Sequence, residues 1–247
     1  MENLIFQRAL YMYVKIDQTI DLIMQATKKQ PAAARLIEMA GPLFADRPFD
    51  AVSTRELARA ASVNLSAISY HFGSKEGLYD AVFSTLIDDL APVRNGFKNF
   101  LDAGLAAAKD NPALQRQILK TFVCLLIDAI TSNLQPRWKM RLILREIQSV
   151  GPCFEKVMSG HIDIMHDLAG RLVSVIKKEP EDSVTVKLVS HSLISLCLQY
   201  SLNEHLLSHR LGWAGFKEPE IAILKRETVD MVFRMLGLPP MTAQEDP

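Results

Sequence analysis

A chain of 247 residues that is 49% hydrophobic can bury a sizeable core, as one large domain or two smaller ones. Its 28 basic and 28 acidic side chains balance, so attraction to any anionic partner has to come from local placement of charge rather than from a basic chain. Apolar runs such as "SLISLCLQYSL" (192–202) fall far short of the ~20 residues of a bilayer span, and Cys124, Cys153 and Cys197 form no Cys-x-x-Cys pair, which excludes a membrane partner and suits buried thiols in a reducing cytoplasm.

Residues 1–30 read as an amphipathic extension. Phe6, Leu10, Tyr13, Ile16, Ile20 and Ile23 recur at helical spacing, while Arg8, Lys15, Asp17 and Asp21 interrupt any signal-peptide core. Helix one is expected over Pro31–Ala45, with Leu36, Met39, Ala40, Leu43 and Phe44 as its apolar stripe. Ser53-x-x-Glu56 is a capping box for helix two, which runs to about Ala60. Asn64 can cap helix three, whose Ile68 and Phe72 continue the apolar side and leave Ser66, Ala67, Ser69 and Tyr70 outward. Ser74 caps helix four. Lys75 falls in its first turn, where the helix dipole disfavours a cation by ~0.3–1 kcal/mol unless an anion such as phosphate lies nearby.

Short helices with a tight break between the second and third describe a helix-turn-helix, whose second helix enters the major groove; a three-helix packing unit with a polar outer face fits the same pattern. Between 31 and 80, five basic residues (Arg35, Arg47, Arg55, Arg59, Lys75) face six acidic ones (Glu38, Asp46, Asp50, Glu56, Glu76, Asp80). Double-stranded DNA would therefore be held by a few placed groups and by a dimer.

The stretch "VSTRELARAASVNLSAISYHFGSKEGLYDAVF", within a match over about 33–83, resembles the DNA-binding domain of the tetracycline-repressor (TetR) family. The resemblance implies an all-α homodimeric regulator of operator DNA, with a helix-turn-helix domain (31–90) and a larger domain (91–240) that binds a small-molecule effector and dimerises. It also implies that Thr54, Arg55, Leu65, Ser66, Ala67, Ser69, Tyr70, His71 and Lys75 face DNA. Many members carry Tyr or Asn where this chain has Ser69, and Lys or Arg where it has Leu65, so their base contacts do not transfer. By periodicity Leu65 belongs to the core; by family position it could touch a thymine methyl. Met24 precedes "QATKKQPAAARLIEMA", the short basic lead-in of such proteins, which places an expected translation start there and makes 1–23 dispensable.

Beyond residue 91, helices are expected over Asn99–Ala108, Pro112–Thr131, Pro136–Ser149, Pro152–Lys178, Asp182–Ser208 and Glu218–Leu236, with prolines near most joints. The segments "MRLILREIQSVGPCFEKVM" and "LGWAGFKEPEIAILKRETVDMVFRML" are similar to the C-terminal domain of CecR-like TetR regulators. In the last two helices, Leu193, Ile194, Cys197, Leu198, Val229, Val232, Phe233 and Leu236 repeat so that one face can pack inward and another against a twofold mate. The family's four-helix interface would set two recognition helices roughly 34–36 Å apart or somewhat more.

Glu146 beside Arg145, the pair His161 and His166, and Cys153 bring no nucleophile, base and orienting group together, and no Gly-rich phosphate loop is present; neither catalysis nor a cofactor or metal is expected. An effector site is expected between the helices of the second domain. Arg141 and Arg145, four apart on one helix face beside Met140, Leu144 and Ile147, could hold a carboxylate or form structural salt bridges. Cys124, Asp128, Trp138, Phe154, Met165 and His166 complete the candidates, because they place aromatic, soft or polar atoms in otherwise apolar helices. The function so expected is a repressor released by its effector, with a helical protein-binding adaptor as the alternative.

Overall fold

The computed structural model describes residues 31–132 and 136–240, and the described residues form helices and no strand. The extension 1–30 and the expected start at Met24 lie outside them.

Helix α1 (Ala32–Asp46) follows Pro31 and buries Leu36, Ala40, Gly41, Phe44 and Ala45, whereas Met39, expected in the same stripe, is exposed. A 3-10 turn (Phe49–Ala51) leads to α2 (Thr54–Ala60). Ser53 Oγ accepts the Glu56 N–H at 3.2 Å, but the Glu56 carboxylate binds Arg47 instead of reaching back, so half of the expected capping box forms. The tight break is made by Ser62 at φ +52°, with the Val63 N–H returning to the Ala58 carbonyl at 3.0 Å as in a Schellman ending. Arg35 Nε donates to the Ala61 carbonyl at 3.1 Å and ties this break to α1.

Helix α3 (Ser66–Phe72) corrects the assignment of Asn64 as its cap. Leu65 is already helical and no side chain caps the helix; the Asn64 carbonyl accepts the Ala67 N–H at 2.9 Å, so the first turn closes through backbone alone. Gly73, at φ +77°, ends α3, and Ser74 then caps α4 through the Gly77 N–H at 3.2 Å, as expected.

Helix α4 (Lys75–Ala108) is one helix of 34 residues, so the boundary expected at 90/91 falls inside it and Asn99–Ala108 is its last part. It continues through Pro92, and Arg94 Nη1 donates to the Ile87 carbonyl at 2.9 Å near the turn where proline supplies no N–H. Then follow α5 (Pro112–Thr131), α6 (Arg137–Ser149) and α7 (Phe154–Val157). A π turn (Met158–Ile162) joins α7 to α8 (Asp163–Lys177), dividing what was expected as one helix. Gly160 in this turn lets α4 come close: a Cβ there would stand 3.0 Å from Ile87 Cγ2. The chain closes with α9 (Val184–Leu202), α10 (Glu204–Leu211) and α11 (Glu218–Met235); a break at Asn203 separates α9 from α10, also expected as one helix.

Two buried clusters result. The first joins Leu36, Phe44, Leu57, Ile68, Leu78 and Phe83 to Leu142 and Ile143 of α6 and to Cys153 and Val157. The second runs from Phe97 through α5, α8, α9 and α11 to Leu236. Helix α6 thus completes the core around the helix-turn-helix, and burial of its leucine and isoleucine contributes about 1.5–3 kcal/mol each.

In this packing Gly41 lies close under the Trp138 ring, where a Cβ would stand 2.6 Å from Trp138 Cζ3. Gly41→Ala is expected to lower stability by about 1–3 kcal/mol through overpacking, and adding Trp138→Leu to restore part of the loss, as read from urea unfolding midpoints.

Candidate nucleic-acid interface

The outward side of α3 is built by its burial pattern. Ile68 is fixed in the first core and Ala67 rests partly against it, which turns Ser66, Ser69, Tyr70 and His71 to the surface. Leu65 is 47% exposed, so it takes the outward position rather than the core one, and Tyr70 is 84% exposed. The His71 ring meets Tyr70 edge-on at 4.8 Å. At the start of α2, Thr54 is half-buried and Arg55 exposed.

Cations flank this face. Arg55, Arg59 and Lys75 make no ion pair among the described residues, in contrast to Arg47, whose hydrogen bond to Glu56 holds that carboxyl below its usual range. Lys75 Nζ lies 4.0 Å from the centroid of the Phe49 ring. A groove of about 760 Å³ runs beside α3, and its lining adds Arg35, Arg59 and Asn64 to Ser66, Tyr70 and His71. Arg59 lines this groove but was not among the candidates read from the sequence, although it follows Arg55 by four positions on one short helix. Such a face can do two things: small side chains admit base edges, and fixed cations with hydroxyls meet phosphates.

The candidates from the second domain do not converge. Trp138 packs on Gly41, Arg141 pairs with Asp46 at 2.9 Å, and Arg145 Nη1 donates to the Phe44 carbonyl at 3.2 Å, so all three face α1. Asp128 pairs with Lys225 at 2.6 Å. Cys124 and Met165 pack against the second core, and burial raises the Cys124 thiol. Phe154 is half-buried. His166 binds the Ile162 carbonyl through Nδ1 at 2.9 Å and approaches His191 through Nε2 at 3.2 Å. Burial, and then Arg94, hold His161 down to about 4, leaving it a neutral acceptor 3.4 Å from that guanidinium. Glu146, which sequence reasoning treated only as an acid beside Arg145, is buried between α4 and the loop after α6.

Comparison with known proteins agrees with this geometry. The model of bacterial regulatory proteins of the tetR family matches residues 36–82, and that of the C-terminal domain of the HTH-type transcriptional dual regulator CecR matches 115–237. CecR of Shigella flexneri is 26% identical over 217 residues, 85% of this chain and 95% of that protein. The HTH-type transcriptional repressor KstR2 of Rhodococcus jostii is 34% identical over 62 residues, 25% of this chain and 30% of its own. Among solved structures, AibR in complex with isovaleryl coenzyme A and operator DNA superposes with a TM-score of 0.53 at 17% identity, over 85% of this chain and all of that one. A TetR-family regulator from Streptomyces coelicolor gives 0.53 at 14% identity, over 88% and 94%.

If Lys75 meets a phosphate, Lys75→Ala weakens binding similarly on all DNA sequences and reduces the slope of log affinity against log salt by about one. Arg55→Ala, at the exposed start of α2, is expected to relax base preference as well. Titrations at several salt concentrations on specific and scrambled duplexes separate the two effects, and an unchanged slope for Lys75→Ala would remove it from the interface.

Proposed function

Because the chain belongs to the tetR family of bacterial regulatory proteins and is a DNA-binding transcription regulator rather than an enzyme, we propose that it acts as a homodimeric repressor, released from its operator by a small molecule. The observation that carries the DNA part is the outward face of α3, with Arg59 beside it and no ion pair to Arg55, Arg59 or Lys75 among the described residues. Membership in the family also removes the protein-binding adaptor left open by the sequence.

Dimerisation is supported by apolar side chains that the chain leaves uncovered. The residues expected to serve the interface do not: Leu193, Ile194, Cys197, Val229, Val232, Phe233 and Leu236 are buried within the subunit and Leu198 is half-buried. Exposed instead are Val184 (73%) and Leu188 (62%) on α9, and Ile223, Met231 and Met235 on α11. Val184, Leu188 and Leu202 share one side of α9, while Ile223, Met231 and Met235 follow at multiples of four on α11. A second copy meeting these stripes by twofold symmetry would bury both, and would set two copies of α3 for successive turns of DNA.

Release by an effector is supported by AibR, whose structure holds both isovaleryl coenzyme A and operator DNA. We place the corresponding site in this chain among α4, α5, α8 and α9, with Cys124, Met165 and His166 as its candidates. Arg141 and Arg145 serve instead where α6 meets α1. The effector acts by binding more tightly to the arrangement in which the two α3 helices are misplaced for the operator. The protein works in the cytoplasm, where its DNA is.

Mobility shifts with DNA upstream of the protein's own gene and its neighbours test the reading. A discrete complex that resists an excess of scrambled duplex supports it; salt-sensitive binding with no preference for any upstream segment counts against an operator there. Leu188→Arg, on the exposed stripe, is expected to give a folded monomer in sedimentation and to weaken operator binding by orders of magnitude, whereas a dimer with wild-type affinity would move the interface elsewhere.

A further inference from the structure

Glu146 is 1% exposed, on a helix whose neighbouring inward residues are Leu142 and Ile143. Its Oε2 accepts the Tyr79 hydroxyl at 2.7 Å, and its Oε1 accepts the Cys153 N–H. Gly151 closes over the carboxylate so tightly that a Cβ there would stand 2.7 Å from Cδ. A buried carboxylate is costly to desolvate, and an apolar side chain would pack this seam at least as well. What a carboxylate adds is direction: it fixes where the Tyr79 hydroxyl points. Burial, and then this hydrogen bond, push the Tyr79 phenol well above its ordinary range, so it stays a donor.

From Tyr79 the contacts lead to the DNA side. Its ring meets Phe44 edge-on at 4.8 Å, Phe83 at 5.0 Å and Phe49 at 4.9 Å. Phe49 stands in the 3-10 turn just before α2, and its face supports the Lys75 ammonium 4.0 Å from the centroid. Lys75 is half-buried and makes no ion pair among the described residues, so this ring is what restrains its long side chain.

We propose that Glu146 and Tyr79 are positioning residues for Lys75: the carboxylate of α6 orients the phenol of α4, the phenol ring sets Phe49, and Phe49 presents the ammonium group to a DNA phosphate. This rests on the reading of Lys75 as a phosphate contact. It makes part of the protein's grip on DNA depend on a hydrogen bond remote from the nucleic acid.

A double-mutant cycle on the full-length dimer tests the proposal. Operator affinity is measured against salt for wild type, Tyr79→Phe, Lys75→Ala and the double variant, with sedimentation and circular dichroism confirming that each folds and dimerises. Tyr79→Phe keeps the ring and loses only the hydroxyl. It is expected to reduce the salt slope by up to about one, as Lys75→Ala does, and to cost nothing further when Lys75→Ala is already present. Loss of the hydroxyl that leaves the slope unchanged, or that weakens binding equally in both backgrounds, overturns the proposal. An unchanged slope for Lys75→Ala itself fails the phosphate reading first, and the positioning role with it. Should Tyr79→Phe not fold, Phe49→Leu replaces it in the same cycle, with the same two expectations and the same grounds for rejection.

Discussion

The docking of α6 on α1 is the contact on which the rest of the structure depends. A helix-turn-helix of three short helices has little apolar surface to bury alone, and here its core is completed by Leu142, Ile143, Cys153 and Val157 from beyond α5. The seam is specific as well as apolar. It has a glycine under a tryptophan ring, a guanidinium on the Phe44 carbonyl and a buried carboxylate on a tyrosine hydroxyl. Ion pairs from Lys139 to Asp89 and from Lys156 to Asp80 add ties from α6 and α7 to α4, and partly exposed salt bridges contribute little.

That seam bears on how a protein without net positive charge can hold DNA. Affinity cannot be spread over a basic surface, so it rests on few groups, and few groups have to be well placed. Helix α4 supplies the other mechanical link. It begins with Lys75 at the DNA side, runs unbroken past Pro92, and reaches the second core at Phe97 and Leu101. A small molecule bound among α4, α5, α8 and α9 would therefore act on the helix that carries Lys75 and, through the α6 seam, on the core beneath α3. The differential affinity that an effector needs can be expressed as a preference for one setting of these two links.

Local chemistry made much of the helix-turn-helix legible. Ser53 and Ser74 cap helices because their hydroxyls lie three residues before the N–H groups they accept, a relation internal to a few residues. Elements failed to be legible where a distant partner decided the outcome. Arg47 captured the Glu56 carboxylate and left the capping box half-made. The chain was expected to divide near residue 91, but α4 runs on through Pro92, where Arg94 takes a nearby carbonyl and packing holds the helix together. Arg141 and Arg145 shared a face, as their spacing required, but only the fold reveals that the face looks toward α1. Glu146 is the sharpest case, since the hydroxyl that its carboxylate holds belongs to Tyr79, 67 positions away.

Native-state hydrogen exchange read by mass spectrometry tests most directly whether the DNA-reading helices and α6 form one unit. Amides of α1 around Gly41–Phe44, of α4 around Tyr79 and of α6 around Leu142–Glu146 are predicted to open together, with a common free energy and a common response to Trp138→Leu. If α1 to α3 open at a much lower free energy than α6, and Trp138→Leu leaves them unmoved, the helix-turn-helix stands alone and the shared core is not what places it.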